Sequence, residues 1–332
     1  MNALDRFKGC LLGLAVGDAL GAPVEFLPPE KIREKYRDQG LQDFDLWEGF
    51  KPGSITDDTQ LTLATAKGCI NAYLNLIHQG ESNFVEFIRR KYAEWLERLK
   101  DPFHVRHPGY TCMHVLQSGE EGTVGRPLND SLEPSGLFRT APVGLAFPPT
   151  MAFREGIEYA ALTHGHPSSY LAAGFFAEMI SRILEEKTVQ EAVELSIDQL
   201  ITFEKHESLL ERLEKTLELF IDQKPLREAV AQIGEPKGAE EVLAVGITCA
   251  LRHVFEFKEG VLASVNVPGF SSSTGVVTGA ILGAFLGAGA IPDTWISRLE
   301  NAGEIAEIAE DMWKVFKKGE RIPFDKYGLA QE

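Results

Sequence analysis

Residues 9–26 read GCLLGLAVGDALGAPVEF, and residues 275–287 read GVVTGAILGAFLG. Glycine recurs at every fourth position of both segments, as Gly9, Gly13, Gly17 and Gly21 in the first and as Gly275, Gly279, Gly283 and Gly287 in the second. A glycine inside a helix destabilises it by roughly 1 kcal/mol relative to alanine. Eight such glycines therefore require a compensating contact. The four-residue spacing aligns them on one ridge, where another helix can approach closely. We therefore predict that the two segments form neighbouring central helices of one domain.

Helical periodicity runs through most of the remaining chain, and the alternation typical of strands is scarce. The segments with a helical pattern are 83–99, 171–184, 189–203, 209–221, 239–255 and 302–316. The segments 28–52, 100–110 and 119–150 have loop-like composition, and the last is long enough to suggest a functional role. The sequence thus predicts an all-α fold in which residues 1–332 form a single domain.

The acidic composition limits the classes of function. The 332 residues carry a net charge of −16, with an isoelectric point near 5.0, which disfavours nonspecific binding of DNA or RNA. The apolar segment 10–22 resembles the core of a signal peptide, but it contains Asp18 and repeated glycines, so we interpret it as a buried helix. The four scattered cysteines favour reduced thiols. We expect a cytoplasmic protein that binds neither nucleic acid nor a membrane.

The sharpest polar cluster is SITDDTQ, residues 54–60, which precedes an apolar run. Thr56 can cap the following helix, and Asp57 and Asp58 in its first turn complement the helix dipole. The same three side chains also offer hard oxygen ligands of the kind that Mg²⁺ requires. Either a structural cap or a metal site explains this pattern.

Other residues of interest allow two interpretations as well. Asp18 lies within an apolar helix, where an unpaired charge is costly, and Glu25 follows a proline at the end of that helix. His164 and His166 precede a helix, where hydrogen bonding to a ligand or to the backbone is favoured over zinc binding. The segment 135–144 places small residues before Arg139, which could contact phosphate or form a structural ion pair.

Six motifs, taken in their order, resemble the ADP-ribosylglycohydrolase family, which includes the dinitrogenase-reductase-activating glycohydrolases. They read GCLLGLAVGDALGAPVEF, GSITDDTQLTLATAKG, DPFHVRHPGYTC, GLFRTAPVGLAF, THGHPSSYLAAG and STGVVTGAILGAFLGAGAIPDTW. The resemblance extends from about Phe7 to about Phe316. It implies a single orthogonal bundle of helices that cleaves the glycosidic bond between ADP-ribose and a protein side chain with two Mg²⁺ or Mn²⁺ ions.

By position, the resemblance implies that Thr56, Asp57 and Asp58 are metal ligands and that Glu25 meets the second metal or gates the site. It also implies contacts to ADP-ribose from His164 and from the loop at Ser135. The predicted catalytic residues are Glu25, Asp57 and Asp58; the predicted substrate contacts are Asp18, Gly109, Tyr110, Ser135, Gly136, Arg139, His164, His166 and Phe270; and the predicted metal ligands are Thr56, Asp57, Asp58, Ser272 and Ser273.

Two parts of the sequence depart from the family pattern. The family supplies an Asp-x-Asp pair, followed by Ser or Thr, before the second glycine-rich helix. Residues 269–275 read GFSSSTG here, so Phe270 and Ser272 replace the two aspartates and Ser273 keeps the hydroxyl. Residues 132–136 read LEPSG where the family has a glycine-rich run, and Glu133 disfavours a phosphate at this loop.

These departures lead to three hypotheses. The first is a hydrolase of ADP-ribosyl or related N-ribosyl bonds with a reduced metal site. The second is a catalytically degenerate member that binds ADP-ribose, a nucleotide or a protein partner. The third is a structural or interaction protein that kept the fold without a ligand. We expect one Mg²⁺ or Mn²⁺ ion rather than two, because hard dications depend on the charge of their ligands. The expected partner is ADP-ribose or an ADP-ribosylated protein.

Overall fold

The computed structural model describes residues 2–328, and these residues contain α-helices but no β-sheet. The bounds of the helices are α1 Ala3–Gly21, α2 Pro29–Tyr36, α3 Asp57–Gln79, α4 Phe84–Arg98, α5 Tyr110–Ser118, α6 Ala141–Ala146, α7 Pro149–Ala161, α8 Pro167–Leu184, α9 Val189–Leu200, α10 Glu207–Ile221, α11 Leu226–Ile233, α12 Ala239–Arg252, α13 Phe257–Val265, α14 Ser271–Leu286, α15 Asp293–Ile296 and α16 Ala302–Trp313. The predicted all-α fold is confirmed.

The two glycine-rich segments are α1 and α14, and they pack against each other along their length in opposite directions. The facing pairs are Gly9 with Gly283, Gly13 with Gly279, and Gly17 with Gly275. A Cβ atom added at any of these positions would overlap a carbonyl oxygen of the opposite helix. The prediction that the segments are neighbouring central helices is therefore confirmed.

The remaining helices surround this pair. α12, α13 and α8 pack against α14, whereas α16 packs against α1; α7 packs on α8, and α3 packs on α4. One hydrophobic core contains residues from both ends of the described chain, from Phe7 to Val315. The segment Ala3–Val24 is long and apolar enough to cross a membrane, but 89% of its most apolar window is buried in the fold. Here this segment serves as a core helix.

The segments that were predicted as loops contain more helix than expected. The segment 28–52 includes α2, in which Ile32 is the only buried residue, so that no apolar stripe marks the helix in the sequence. The segment 119–150 includes α6, whose small residues are buried on nearly all sides. Both loop assignments were wrong in part, because a helix shows periodicity only when one face is buried and the other exposed.

The packing of α1 on α14 makes Gly279 intolerant of a side chain. We expect Gly279→Ala to lower the free energy of unfolding by about 3 kcal/mol, because its methyl group meets the backbone of Gly13, which cannot move aside. Gly303→Ala in α16 is the control, since no atom lies within 4 Å of its added Cβ, and it should be neutral or slightly stabilising. Urea denaturation measures both variants. Equal effects at the two positions would contradict the close approach of the helices.

Candidate active site

The polar cluster lies at one end of the α1–α14 pair. Gly21 at the end of α1 packs against Ser272 in the first turn of α14. The chain then passes through a short 3₁₀ turn, Ala22–Val24, to Glu25. The backbone N–H of Phe26 donates to the carbonyl oxygen of Gly269 at 3.0 Å, which joins the two segments again. This arrangement brings Glu25 and the start of α14 together, although they are far apart in sequence.

Ser272 links two carboxylates across this junction. Its hydroxyl lies 2.7 Å from Oε2 of Glu25 and 3.2 Å from Oδ2 of Asp58. The Ser273 hydroxyl donates to the same Asp58 oxygen at 2.9 Å. A hydroxyl carries one proton, so Ser272 donates fully to one carboxylate at a time. The two serines, which were predicted as metal ligands, thus act here as donors to acidic side chains.

Asp57 and Asp58 occupy the first turn of α3, as the sequence pattern predicts. The Thr56 hydroxyl caps this helix by accepting from the N–H of Asp58 at 3.1 Å. Asp57 accepts from the N–H of Gly109 at 3.3 Å, and its own N–H donates to the carbonyl oxygen of Arg106 at 2.9 Å. The segment 100–110 therefore fixes the position of Asp57 from the opposite side of the site.

Asp18 in α1 stabilises the start of α3 through hydrogen bonds. Its fully buried carboxylate accepts from the hydroxyl and N–H of Thr56, at 2.7 and 2.9 Å. It also accepts from the hydroxyl of Thr59 at 2.5 Å and from its N–H at 3.3 Å. The prediction that Asp18 contacts substrate is corrected, because four hydrogen bonds within the protein occupy its oxygens. Its role is to hold Thr56 in place.

Burial raises the pKa of every carboxyl group in this cluster. Desolvation raises the pKa of Glu25 to about 8, although the hydrogen bond from Ser272 lowers it in part. Desolvation also raises the pKa of Asp18 to about 6. It also raises the pKa values of Asp57 and Asp58 well above their usual range, and each of these is raised further by the neighbouring acids. Within residues 2–328, no Lys, Arg or His is among the main groups that lower these four pKa values. Such a cluster favours protons or a bound cation.

The donor set at this cluster is consistent with binding of a hard cation. The donors are carboxylate and hydroxyl oxygens, the ligand type that Mg²⁺ prefers. Within residues 2–328, however, no three His, Cys, Asp or Glu side chains are grouped closely enough to enclose an ion. The Ser272 hydroxyl lies between the carboxyl groups of Asp58 and Glu25 and bonds to both.

Phe270 lies at the edge of the same cluster, immediately before α14. Its ring packs edge-on against the ring of Phe26, with the centroids 4.9 Å apart. Phe26 follows Glu25 directly, and its side chain is 62% exposed. The structure therefore brings together Glu25, Asp57, Asp58, Phe270 and Ser272, as the sequence order predicts.

The predicted substrate contacts at residues 109–110 and 135–136 form the wall next to Asp57. Gly109 packs directly against the side chain of the buried Ser135, and Gly136 packs against the ring of His164. Tyr110 is 75% exposed, and its ring stacks on that of His114. These four residues lie beside the carboxylates, and their side chains do not contact them. Their role in substrate binding stays a prediction.

The structure corrects one of the three remaining substrate contacts. Arg139 is fully buried, donates to the Tyr159 carbonyl oxygen at 3.0 Å and to the Thr163 hydroxyl at 2.6 Å, and lies over the ring of Tyr92. Its role is structural, which was the alternative interpretation of the sequence. His166 caps α8 by accepting from the N–H of Ser168.

His164 is fully buried beside Arg139. Its Nδ1 atom lies 2.8 Å from the hydroxyl of Thr163, and within the described residues its Nε2 atom has no hydrogen-bond partner. Burial, together with the nearby charge of Arg139, holds the pKa of His164 well below its usual range, so the imidazole is neutral. The prediction that His164 contacts substrate stays open.

The sequence interpretation missed an ion pair that anchors the site. Glu300 accepts from the Arg106 guanidinium at 3.0 Å and from the N–H of Ile55 at 3.1 Å. Because Arg106 also binds Asp57 through its carbonyl oxygen, this pair fixes the N-terminal end of α3. Arg106 lies within a quoted motif, but Glu300 is 194 residues away in a segment without any chemical signature.

The raised pKa of Glu25 should make the free energy of unfolding depend on pH. Between its ordinary pKa of 4.5 and the folded value of about 8, the native state binds a proton that the unfolded chain releases. The free energy of unfolding should therefore fall as pH rises through this window, by up to about 1.4 kcal/mol per pH unit. Glu25→Gln should flatten this fall, whereas the exposed Glu214→Gln should not. Urea denaturation in buffer with a chelator measures the slopes, and parallel slopes for all three proteins would contradict the prediction.

Comparisons with known proteins identify the family of this chain. A sequence model described as ADP-ribosylglycohydrolase matches residues 1–321. The chain is similar to the ADP-ribosyl-[dinitrogen reductase] glycohydrolase of Rhodospirillum rubrum, with 27% identity over 89% of this chain and 90% of that protein. It is also similar to the ADP-ribosylarginine hydrolase of Serratia proteamaculans, with 24% identity over 94% of this chain and 80% of that protein.

A solved structure has the same fold. It is titled "ADP-ribosylglycohydrolase-related protein complex", and it superposes with a TM-score of 0.71 at 25% identity, covering 94% of this chain and 98% of that one. The match of the family model extends over nearly the whole sequence and includes every element of the polar cluster. The chain therefore belongs to the ADP-ribosylglycohydrolase family.

Proposed function

We propose that this protein hydrolyses the glycosidic bond between ADP-ribose, or a related ribosyl group, and a side chain or small acceptor, with a reduced metal site. The observation that carries the proposal is the convergence of Glu25, Asp57 and Asp58 in one cluster, where the pKa of each is raised and no Lys, Arg or His within residues 2–328 is among the main groups that lower it. Carboxylates that are buried, as those of Asp57 and Asp58 are, or partly buried, as that of Glu25 is, are costly for stability when they lack a cationic partner. Their convergence where α1, α3 and α14 meet favours a catalytic role.

The remaining donors suit one Mg²⁺ or Mn²⁺ ion, held by Thr56, Asp57 and Asp58. Mg²⁺ commonly uses one or two carboxylates and keeps several waters, so it needs no closed set of protein ligands. When bound, such an ion supplies polarisation of a ribosyl oxygen and a more acidic water. Asp57 is held for this purpose by Gly109, and Thr56 by Asp18.

We propose that Glu25, oriented by Ser272, transfers the proton in this reaction. The Ser272 hydroxyl donates to Oε2 of Glu25 and fixes the orientation of that carboxyl group. Glu25 is partly exposed, and it precedes the exposed Phe26 in the chain. A carboxyl group in this position can transfer a proton to the atom that leaves the ribosyl carbon.

A second function is favoured by one specific observation. Where the family supplies two aspartates, this chain has Phe270 and a serine whose hydroxyl bonds to the remaining carboxylates. A site that lacks these two aspartates can bind ADP-ribose, a nucleotide or a protein partner without hydrolysing a bond. The two functions differ in turnover but share the same binding residues.

Titration calorimetry with Mn²⁺ tests the metal site. We expect one weak site in the native protein, and its affinity should rise when ADP-ribose is present, because the ligand adds oxygen donors. Asp57→Asn should abolish the heat of binding, while Glu214→Gln on the surface of α10 should leave it unchanged. The double variant Phe270→Asp with Ser272→Asp should increase affinity by about tenfold or more, since ligand charge governs the binding of hard cations.

The outcomes separate the two functions. Slow hydrolysis of ADP-ribosyl-arginine that depends on Mn²⁺ and is lost in Asp57→Asn supports the hydrolase. Binding of ADP-ribose without turnover, in the native protein and in the double variant alike, supports the degenerate binder. Tight binding of two ions by the native protein would contradict the reduced metal site.

A further inference from the structure

The segment 106–109 contacts Asp57 at two places. The carbonyl oxygen of Arg106 accepts from the N–H of Asp57 at 2.9 Å, and the N–H of Gly109 donates to Oδ2 of Asp57 at 3.3 Å. The first contact fixes the backbone of this predicted metal ligand, and the second fixes the direction of its carboxyl group. A displacement of the segment would therefore move the oxygens that are proposed to bind the ion.

The position of Arg106 is itself set by Glu300. The guanidinium donates to both oxygens of this carboxylate, through Nη2 at 3.0 Å and through Nη1 at 3.2 Å. Its Nε atom donates to the carbonyl oxygen of Phe103 at 3.1 Å, and the guanidinium lies 4.1 Å from the centroid of the Phe50 ring. Two parallel hydrogen bonds between a guanidinium and a carboxylate fix the geometry of the pair. Because Arg106 is also buried, its backbone is held in one place.

Glu300 also contacts the segment that leads into α3. Its Oε2 atom accepts from the N–H of Ile55 at 3.1 Å, and its own N–H donates to the carbonyl oxygen of Gly53 at 2.9 Å. Ile55 directly precedes Thr56, which is another predicted metal ligand. One carboxylate thus bonds to the neighbour of Thr56 and to the residue that holds Asp57.

A neighbouring ion pair joins the same two parts of the protein without reaching the site. Glu304, in the first turn of α16, accepts from Nζ of Lys67 in α3 at 2.8 Å. Lys67 lies farther along α3 than Asp57, and within residues 2–328 neither side chain of this pair bonds to the segments 53–57 or 106–109. The pair therefore provides a matched control, in which the same charge is removed away from the site.

We propose that Glu300 is a positioning residue, which sets the affinity of the site for Mg²⁺ or Mn²⁺ through its two hydrogen bonds with Arg106. The inference rests on the proposed hydrolase function with its metal site, and it assigns a role to a residue outside the cluster of predicted ligands. Loss of a group that orients a metal ligand typically weakens metal binding by about ten- to hundredfold. The geometry of the pair carries this role, so a negative charge alone at position 300 is not sufficient.

Variants that keep the charge separate position from electrostatics. Glu300→Asp shortens the side chain, and Arg106→Lys removes the planar set of donors that matches a carboxylate. We expect each of them, and Glu300→Gln as well, to raise the Kd for Mn²⁺ by about tenfold. Glu304→Gln should leave the Kd unchanged, although it removes the same charge as Glu300→Gln.

Electron paramagnetic resonance of free Mn²⁺ measures binding in a titration, with and without ADP-ribose. The titration gives both the Kd and the number of sites, and an unfolded fraction lowers the number of sites without raising the Kd. Hydrogen–deuterium exchange provides a readout that needs no metal. The peptide that contains residues 55–59 should exchange faster in the Glu300 and Arg106 variants than in Glu304→Gln, because the amides that bond to Glu300 and Arg106 lose a fixed acceptor.

The outcomes distinguish this inference from the function on which it rests. If the native protein binds Mn²⁺ and the three variants bind it equally well, the inference is overturned and the proposed function stands. If only Glu300→Gln weakens binding, charge rather than position is responsible, and the inference is again wrong. Unchanged exchange of residues 55–59 would also contradict it. If the native protein binds no Mn²⁺ with or without ADP-ribose, the inference and the proposed metal site fall together.

Discussion

The close contact between α1 and α14 is the constraint on which the site depends. The two helices approach until the glycines of one meet the backbone of the other, so a side chain at any of these positions would clash with the opposite helix. The register of this contact places the end of α1 beside the start of α14. Glu25 and Ser272 meet for that reason, and the hydrogen bond between them follows from the packing. Stability and site geometry therefore have the same origin in this protein.

The carboxylates of the site are supported by different means. Asp18 is satisfied entirely within the protein, and it acts by positioning Thr56. Asp57 and Asp58 are held only in part, by one backbone N–H and by serine hydroxyls respectively. Buried acids that lack a cationic partner favour protonation or a bound ion. Asp18 is therefore a structural carboxylate, whereas Asp57 and Asp58 can bind a proton or an ion.

The sequence departs at two places from the pattern that the family resemblance implies. At the start of α14, where the resemblance implies an Asp-x-Asp pair, the chain has Phe270 and Ser272, and the Ser272 hydroxyl bonds to Glu25 and Asp58. At the loop that contacts α5, where the resemblance implies a glycine-rich run, Glu133 accepts from the N–H of Thr111. We expect the first difference to weaken cation binding, because the binding of hard cations depends on the charge of their ligands.

The sequence by itself determined the all-α class, the pairing of the glycine-rich helices and the cluster at the start of α3, because spacing and capping are local signals. It left the roles of Asp18 and Arg139 open between structure and substrate, since burial and hydrogen-bond partners arise only when distant segments pack. The short helices α2 and α6 were missed because they lack a one-sided apolar stripe. Only the tertiary structure decided that Glu300 anchors α3, that Ser272 bridges two acids and that Glu133 accepts from the N–H of Thr111 in α5. Each of these contacts joins residues whose separation in sequence carries no local signal.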